Sequence, residues 1–372
     1  MTTPLDGLKV VELARILAGP WAGQMLADLG ATVIKVEAPE GDDTRRWGPP
    51  FIEDRDAAYF HACNRGKASV VIDFRTDEGK AQLMRLLSDA DVVIENFKVG
   101  GLAKYGLDYA SLRDQFPKLI YCSITGFGQD GPYAGRAGYD YIIQGMSGLM
   151  SVTGEPDGMP QKVGVAVTDV FTGLYASNAI LAALHHRAAT GEGQHIDLAL
   201  LDVAVATTAN QAMNYLATGT SPQRLGNAHP NIVPYQVFAC ADGHVIIAVG
   251  NDSQFRAFAT MLGLGDLAEN PDYATNPARV AHREALVPIL ADAMSGWAKA
   301  DLLAACEAQN VPAGPINTME EVFADPQVKH RGLQLDLNGV PSVRPPMRFS
   351  NADLSLERGA PALGEDQDLT GD

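Results

Sequence analysis

The chain has 372 residues, 46% of them hydrophobic and 20% charged, with 37 glycines and 22 prolines. That mixture is too apolar for disorder and too irregular for a fibre, and at this length roughly three-quarters of the unfolded surface is buried on folding. A formal net charge of −17, from 45 acidic against 28 basic side chains, opposes non-specific binding to nucleic acid or to an anionic membrane. A local basic pocket for a small anion remains compatible with it.

In chain order, residues 8–13 (LKVVEL) predict a short strand, 19–29 a helix and 32–36 (TVIKV) a second strand. Residues 69–72 (SVVI) predict a third strand, followed by a helix over 77–90 that Asp77 caps. Residues 91–95 (DVVIE) and 119–125 (LIYCSIT) continue the set. Strands and helices alternating at this spacing imply βαβ units, hence an α/β fold with a parallel sheet. Two long amphipathic helices are predicted over 170–187 and 201–216, with GEGQHIDL between them as a turn and short strand. The Gly/Pro/Asn-rich stretch 221–234 marks a boundary. Residues 235–250 read as a hairpin turning at Asp242-Gly243, and the strand-like VPAGPI follows a helical region.

The N-terminus lacks a basic-then-apolar leader, and no uninterrupted apolar run reaches about 18 residues, so neither export nor a membrane span is expected. Cys63, Cys122, Cys240 and Cys306 are scattered, with no C-x-x-C pair, which predicts buried free thiols in a cytoplasmic protein.

Three apparent motifs carry little. Gly126 to Gly131 matches G-x-G-x-x-G after a strand, but Pro132 and Tyr133 follow where a dinucleotide fingerprint needs a helix. Gly145-Met-Ser147-Gly148 is one residue short of a nucleophile elbow. His185, His186 and His195 have no carboxylate partner at ligand spacing, so no metal site is expected.

The segment GVAVTDVFTGLY delivers one carboxylate, Asp169, to the start of a long helix. Two readings stand side by side. Asp169 is an N-cap, a common place for a carboxylate. Alternatively it is a nucleophile kept ionised by backbone donors at the helix start, with Gly126, Gly128, Gly131 or Gly173 opening N–H groups toward a developing oxyanion.

The chain resembles a class III CoA-transferase. The match runs through LDGLKVVELARILAGPWAGQMLADLGATVIKVE, NRGKASVVIDF, ADVVIENFKVGGLAKYGLDY, LIYCSITGFGQDGPYAGRAGYD, VAVTDVFTGLYA, TGEGQHIDLALLD and VPAGPINTMEEVFADPQV, in family order. The resemblance implies a large Rossmann-like domain from 1–217 and 330–372, a smaller α+β domain over 218–329, and an interlocked homodimer. It implies that Asp169 attacks an acyl-CoA and passes through an aspartyl-CoA thioester. CoA contacts carried over from the family's motifs fall on Leu17 and Ala18, on Ile72, Asp73, Phe74 and Arg75, and on Asn96, Phe97 and Lys98. Lys104 and the run Arg136, Ala137, Gly138 and Tyr139 complete them. Arg75, Lys98, Lys104 and Arg136 are cations suited to the CoA phosphates.

The α-methylacyl-CoA racemases of the same family use a histidine in a G-H-D segment, whereas here it reads Gly138-Tyr139-Asp140. Tyrosine ionises near pH 10, too high for a proton shuttle at neutral pH, which favours transfer over racemisation. The resemblance is nearest to the succinyl-CoA:dicarboxylate branch, through TDVFTGLYA, HPNIVPYQVF, NDSQF and VPAGPIN. Succinyl-CoA as donor and glutarate as acceptor follow, with oxalate, itaconate, mesaconate or carnitine-like acids as alternatives. Arg15, Tyr59 and Asp140 are the substrate-side candidates. Coenzyme A and its thioesters enter as substrates, with no tightly bound cofactor, metal, nucleic acid or membrane partner expected.

Overall fold

The computed structural model describes residues 2–52 and 56–371, and the chain divides into two units. The first comprises Met1–Leu149, Lys162–Thr220 and Pro326–Asp372; the second comprises Met150–Gln161 and Ser221–Asp325.

The first unit is built on six parallel strands, Lys9–Glu12 (β1), Thr32–Glu37 (β2), Ala68–Val71 (β3), Val92–Glu95 (β4), Ile120–Thr125 (β5) and His195–Ala199 (β6). Their order is β3-β2-β1-β4-β5-β6, so the winding reverses between β1 and β4. Its main helices are Ala18–Asp28 (α1), Asp77–Leu87 (α2), Asp140–Met146 (α3), Val167–Thr190 (α4), Leu200–Thr207 (α5) and Ala209–Thr218 (α6). Successive strand residues point to opposite faces. Val10, Val92 and Ile120 therefore pack with Leu26 of α1 and Ala176 and Ile180 of α4. Val11, Val93 and Tyr121 pack with Leu83, Leu86 and Leu87 of α2 on the other side. A sheet covered on both faces explains why its strands read as apolar runs rather than alternating ones.

Local details depart from the sequence reading. Thr76, not Asp77, caps α2, its hydroxyl accepting from Gly79 N–H. The single helix expected over 201–216 is two, α5 and α6, broken where Ala209 takes φ +46°. At that point the Thr207 and Thr208 hydroxyls donate to the carbonyls of Val203 and Val205, which competes with helix continuation. Among the described residues α4 is long and apolar enough to cross a membrane by length and composition, its most apolar 18-residue window having a mean hydropathy of 1.3, although polar residues interrupt it and it is no continuous apolar run. Its Gly173, Ala176, Ile180 and Ala183 are buried in the first unit, as befits a core helix beside a sheet.

The second unit carries the hairpin Tyr235–Cys240 (β7) and Gly243–Ala248 (β8), with Ala313–Pro315 (β9) antiparallel to β8. The turn is Ala241-Asp242, one residue earlier than expected, because Gly243 pairs with Cys240. Phe238, Val245 and Ile247 form a core with Phe255, Phe258, Leu286, Leu290 and Leu302 from the helices. Met150–Gln161, inside the large domain of the sequence reading, joins this unit through Arg224, whose guanidinium donates to the carbonyls of Glu155 and Gly158. In the first unit, Gln334–Leu337 (β10) and Val340–Val343 (β11) form a second hairpin that the sequence reading did not include. Three cysteines are buried, while Cys240 is half-buried, and all four are free.

Candidate active site

A sheet whose winding reverses opens a crevice beyond the carboxyl ends of the two strands at the switch. Here those strands are β1 and β4. A cleft of about 410 Å³ lies there, bounded by Arg15 to Ala18 after β1, Asn96 to Lys98 after β4, Thr125 and Gly126 at the end of β5, Arg136 to Tyr139, and Asp169. Asn96 ties the two switch loops together: its Oδ1 accepts Arg15 N–H at 2.9 Å and its Nδ2 donates to Arg15 O at 2.7 Å.

Asp169 is the third residue of α4, not its cap. The cap residue, Ala166, has no side-chain acceptor to offer the first-turn amides. Asp140, at the start of α3, supplies one instead. Its Oδ1 accepts from Thr168 N–H at 2.8 Å and from Asp169 N–H at 3.3 Å, while Gln144 Nε2 donates to its other oxygen at 2.7 Å. The Asp169 carboxyl is thereby left for the cleft. Burial, with the Asp140 charge adding to it, pushes Asp169 from an ordinary 3.8 up to about 7. The helix-start donors expected to favour its ionised form are instead given to Asp140, and burial raises it. Of the four glycines considered for oxyanion binding, Gly126 alone lines the cleft; Gly173 is inside α4, and Gly128 N–H is taken by Thr125 Oγ1.

Two close approaches make this arrangement possible. A Cβ on Gly138 would lie 2.4 Å from the Cα of Gly126, so glycine at both positions lets the 126 loop press on the segment leading into Tyr139 and Asp140. A Cβ on Gly173 would lie 2.8 Å from Ala18 O and 2.9 Å from the Trp21 side chain, which is why α4 crosses α1 tightly enough to bring Asp169 beside Leu17 and Ala18.

Most of the residues singled out from sequence come together here. Leu17, Ala18, Asn96, Phe97, Lys98, Arg136, Ala137, Gly138, Tyr139, Arg15 and Asp169 all line the cleft. Ile72, Asp73, Phe74, Arg75 and Lys104 do not. Phe74 reaches the wall indirectly, edge-on to Phe97 at 5.9 Å. Arg75 is paired with Asp73 at 2.6 Å, and Lys104 lies over the Tyr105 ring. Arg136 stacks over Phe127 and Tyr133, and Arg15 is paired with Asp43 at 3.2 Å. Tyr59 also lies outside the lining, but burial and then the Asp169 charge push its hydroxyl up to about 12, so it stays a neutral donor. Trp47 lies edge-on to Tyr59 at 5.3 Å.

The G-x-G-x-x-G segment forms a loop rather than a helix start, and Ser147 merely ends α3. His195, on β6, bonds Ser123 at 2.9 Å. Among the described residues, no group of three His, Cys, Asp or Glu is placed to hold a metal.

A switch-point cleft with one half-buried carboxylate on a helix start defines an α/β enzyme suited to a large anionic substrate and nucleophilic chemistry. The profile of CoA-transferase family III matches residues 5–367, and the chain belongs to that family. It is 62% identical over 375 residues to succinate--glutarate CoA-transferase of Agrobacterium fabrum, covering 98% of this chain and 94% of the relative. It is 42% identical over 370 residues to the Homo sapiens succinyl-CoA:glutarate CoA-transferase, covering 97% and 84%. A solved CAIB/BAIF family protein from Brucella suis superposes with a TM-score of 0.89 at 63% identity, covering 99% of this chain and 98% of that one. The protein is a CoA-transferase.

Proposed function

We propose that this enzyme moves CoA from succinyl-CoA to a dicarboxylate of glutarate type, with Asp169 as the covalent carrier. The observation that carries the reading is the Asp169 carboxyl on the first turn of α4, facing the cleft beside Leu17 and Ala18. The identity of the acids rests on the names of the relatives.

An ionised Asp169 oxygen attacks the thioester carbonyl of the donor, and CoA thiolate leaves. The product is a mixed anhydride of succinate and Asp169. The thiolate then attacks the Asp169 carbonyl, succinate departs, and an aspartyl-CoA thioester remains. The acceptor carboxylate attacks that thioester, releasing the thiolate and forming a second anhydride. Attack of the thiolate on its acyl carbonyl gives the new acyl-CoA and restores Asp169. No proton or electron is consumed, so the site needs an ionised carboxylate and a confined thiolate, not a general acid.

In this reading Asn96 to Lys98 and Arg136 to Tyr139 hold CoA, with Lys98 and Arg136 toward its phosphates. Ile72, Asp73, Phe74, Arg75 and Lys104 would join them only along the outer rim. Tyr59 donates toward the reacting carboxyls, and Asp140 orients the Asp169 turn. Arg15 offers the distal carboxylate of a dicarboxylate a cation at the cleft mouth, in competition with Asp43.

The working assembly is an interlocked homodimer in the cytoplasm. What supports it is apolar surface: α6 has no buried residue, and Met213, Tyr215 and Leu216 are each more than half exposed. Turnover of succinyl-CoA against a panel of acids, with CoA esters resolved by mass, tests the substrate reading. Glutaryl-CoA is the expected major product; exclusive transfer to a monocarboxylate would contradict it.

A further inference from the structure

Among the buried charged side chains of the first unit, four form a connected cluster that the transfer steps do not use. Glu12, Lys35 and Lys67 are fully buried, and Asp42, in the loop after β2, is 1% exposed. Lys35 Nζ lies 2.9 Å from Asp42 Oδ2 and 3.2 Å from Glu12 Oε1, and donates to Ala14 O at 2.9 Å. Lys67 Nζ donates to the same Glu12 oxygen at 2.9 Å, lies 2.8 Å from the other, and donates to Pro20 O at 2.8 Å. Buried ion pairs seldom stabilise a fold better than apolar side chains of equal volume, so a cluster of this kind invites the question of what it holds.

It holds Ile16. That residue has φ +73°, a left-handed backbone that a β-branched side chain adopts only when its surroundings enforce it. Ile16 N–H donates to both carboxylate oxygens of Asp42, at 3.2 and 3.4 Å. Ile16 itself lines the cleft, immediately before Leu17 and Ala18.

Asp42 is fixed in turn. Its N–H donates to Glu37 Oε2 at 2.9 Å, and its Oδ1 accepts from Thr44 N–H and Oγ1 at 3.0 and 2.8 Å. Burial alone would raise the Asp42 carboxyl, but the Lys35 charge and the Thr44 donors outweigh it and hold it below the usual range. Both oxygens therefore remain acceptors.

We propose that Asp42 is a positioning residue for CoA binding: anchored by Lys35, it holds Ile16 in the left-handed conformation that sets the Leu17–Ala18 wall of the cleft. The inference rests on the reading of this cleft as the CoA site. Asp42 touches no substrate and acts only through the backbone of Ile16.

The test is a double-mutant cycle on the full chain, with CoA itself as the probe. Binding is read by calorimetry, with steady-state turnover and thermal melting alongside. Asp42→Ala is expected to weaken CoA binding about tenfold and to raise the acyl-CoA KM similarly, with kcat changing less. Glycine enters the left-handed region without strain, so Ile16→Gly added to Asp42→Ala recovers about threefold of the lost affinity while the melting temperature does not recover. A merely structural Asp42 would show the melting loss and no such recovery. Where alanine is not tolerated, Asp42→Asn takes its place in the same cycle; it keeps one acceptor oxygen, so a smaller loss that Ile16→Gly again offsets is expected. Unchanged CoA affinity in the Asp42 variants, or a loss that Ile16→Gly does not offset, overturns the proposal. A wild-type protein that binds no CoA overturns the reading of the cleft, an outcome no Asp42 variant can mimic.

Discussion

Asp140 accepts the amide hydrogen of Asp169 at 3.3 Å, so one carboxylate caps the helix that carries the other. The contact fixes the backbone of the first turn and brings a like charge toward the reactive group. Burial and that charge together raise Asp169 to about 7. A more basic carboxylate is a better nucleophile once ionised, and a smaller part of it is ionised at neutral pH.

The pH dependence follows. The reactive form is the anion, so kcat/KM should rise with pH and level off above about 7, instead of near the ordinary 3.8. Asp140→Asn keeps an acceptor for Thr168 N–H and removes the charge, so the midpoint should move down; burial remains, so it should stay above 3.8. Stability has the opposite sign. Asp169 binds its proton more tightly when folded, so its contribution is present below 3.8 and lost as pH rises through about 7. Asp169→Asn should flatten that slope in chemical denaturation measured from pH 4 to 8.

Gly138→Ala isolates the placement of Tyr139 and Asp140 from their chemistry. The new Cβ would meet the Gly126 backbone at 2.4 Å, and neither strand of chain can yield without moving the other. A loss of about 1–3 kcal/mol in stability is expected. A fall of at least about tenfold in kcat/KM should accompany it, since small displacements of a reacting group cost more than stability alone implies. Wild-type turnover in a folded Gly138→Ala protein would separate that contact from catalysis.

Much of the fold was legible because the strands of a two-sided sheet are short apolar runs at regular spacing. The helix over 170–187 was visible in the same way, although its first turn was not. Thr168 and Asp169 are capped by a residue 28 and 29 positions upstream of them, and no local pattern reveals a cap supplied by another helix. For the same reason the choice between a capping and a reactive Asp169 stayed open in the sequence. The break at Thr208 was masked by continuous amphipathic spacing on both sides. The hairpin of β10 and β11 did carry a signal, the Asn338-Gly339 pair, both at positive φ as a two-residue turn requires. Cleft residues after β1 and β4 were found through the family motifs, whereas Asp42 lies outside them and Lys35, inside the first, has a role that emerges only from burial and contacts.

Assembly is tested by concentration. If apolar faces such as Met213, Tyr215 and Leu216 are covered by a second copy, the unfolding midpoint should rise with protein concentration and no folded monomer should accumulate. Sedimentation across a hundredfold dilution series reads this directly. A stable folded monomer would contradict the interlocked homodimer.

The central claim, a covalent bond between Asp169 and CoA, is tested by trapping. The protein is incubated with succinyl-CoA, quenched with hydroxylamine, digested and analysed by mass. Hydroxamate should appear at Asp169 and nowhere else, and Asp169→Ala should fold, bind CoA and lose turnover by at least about a thousandfold. Unmodified Asp169 during active turnover, or an Asp169→Ala protein that still transfers CoA, would contradict the account.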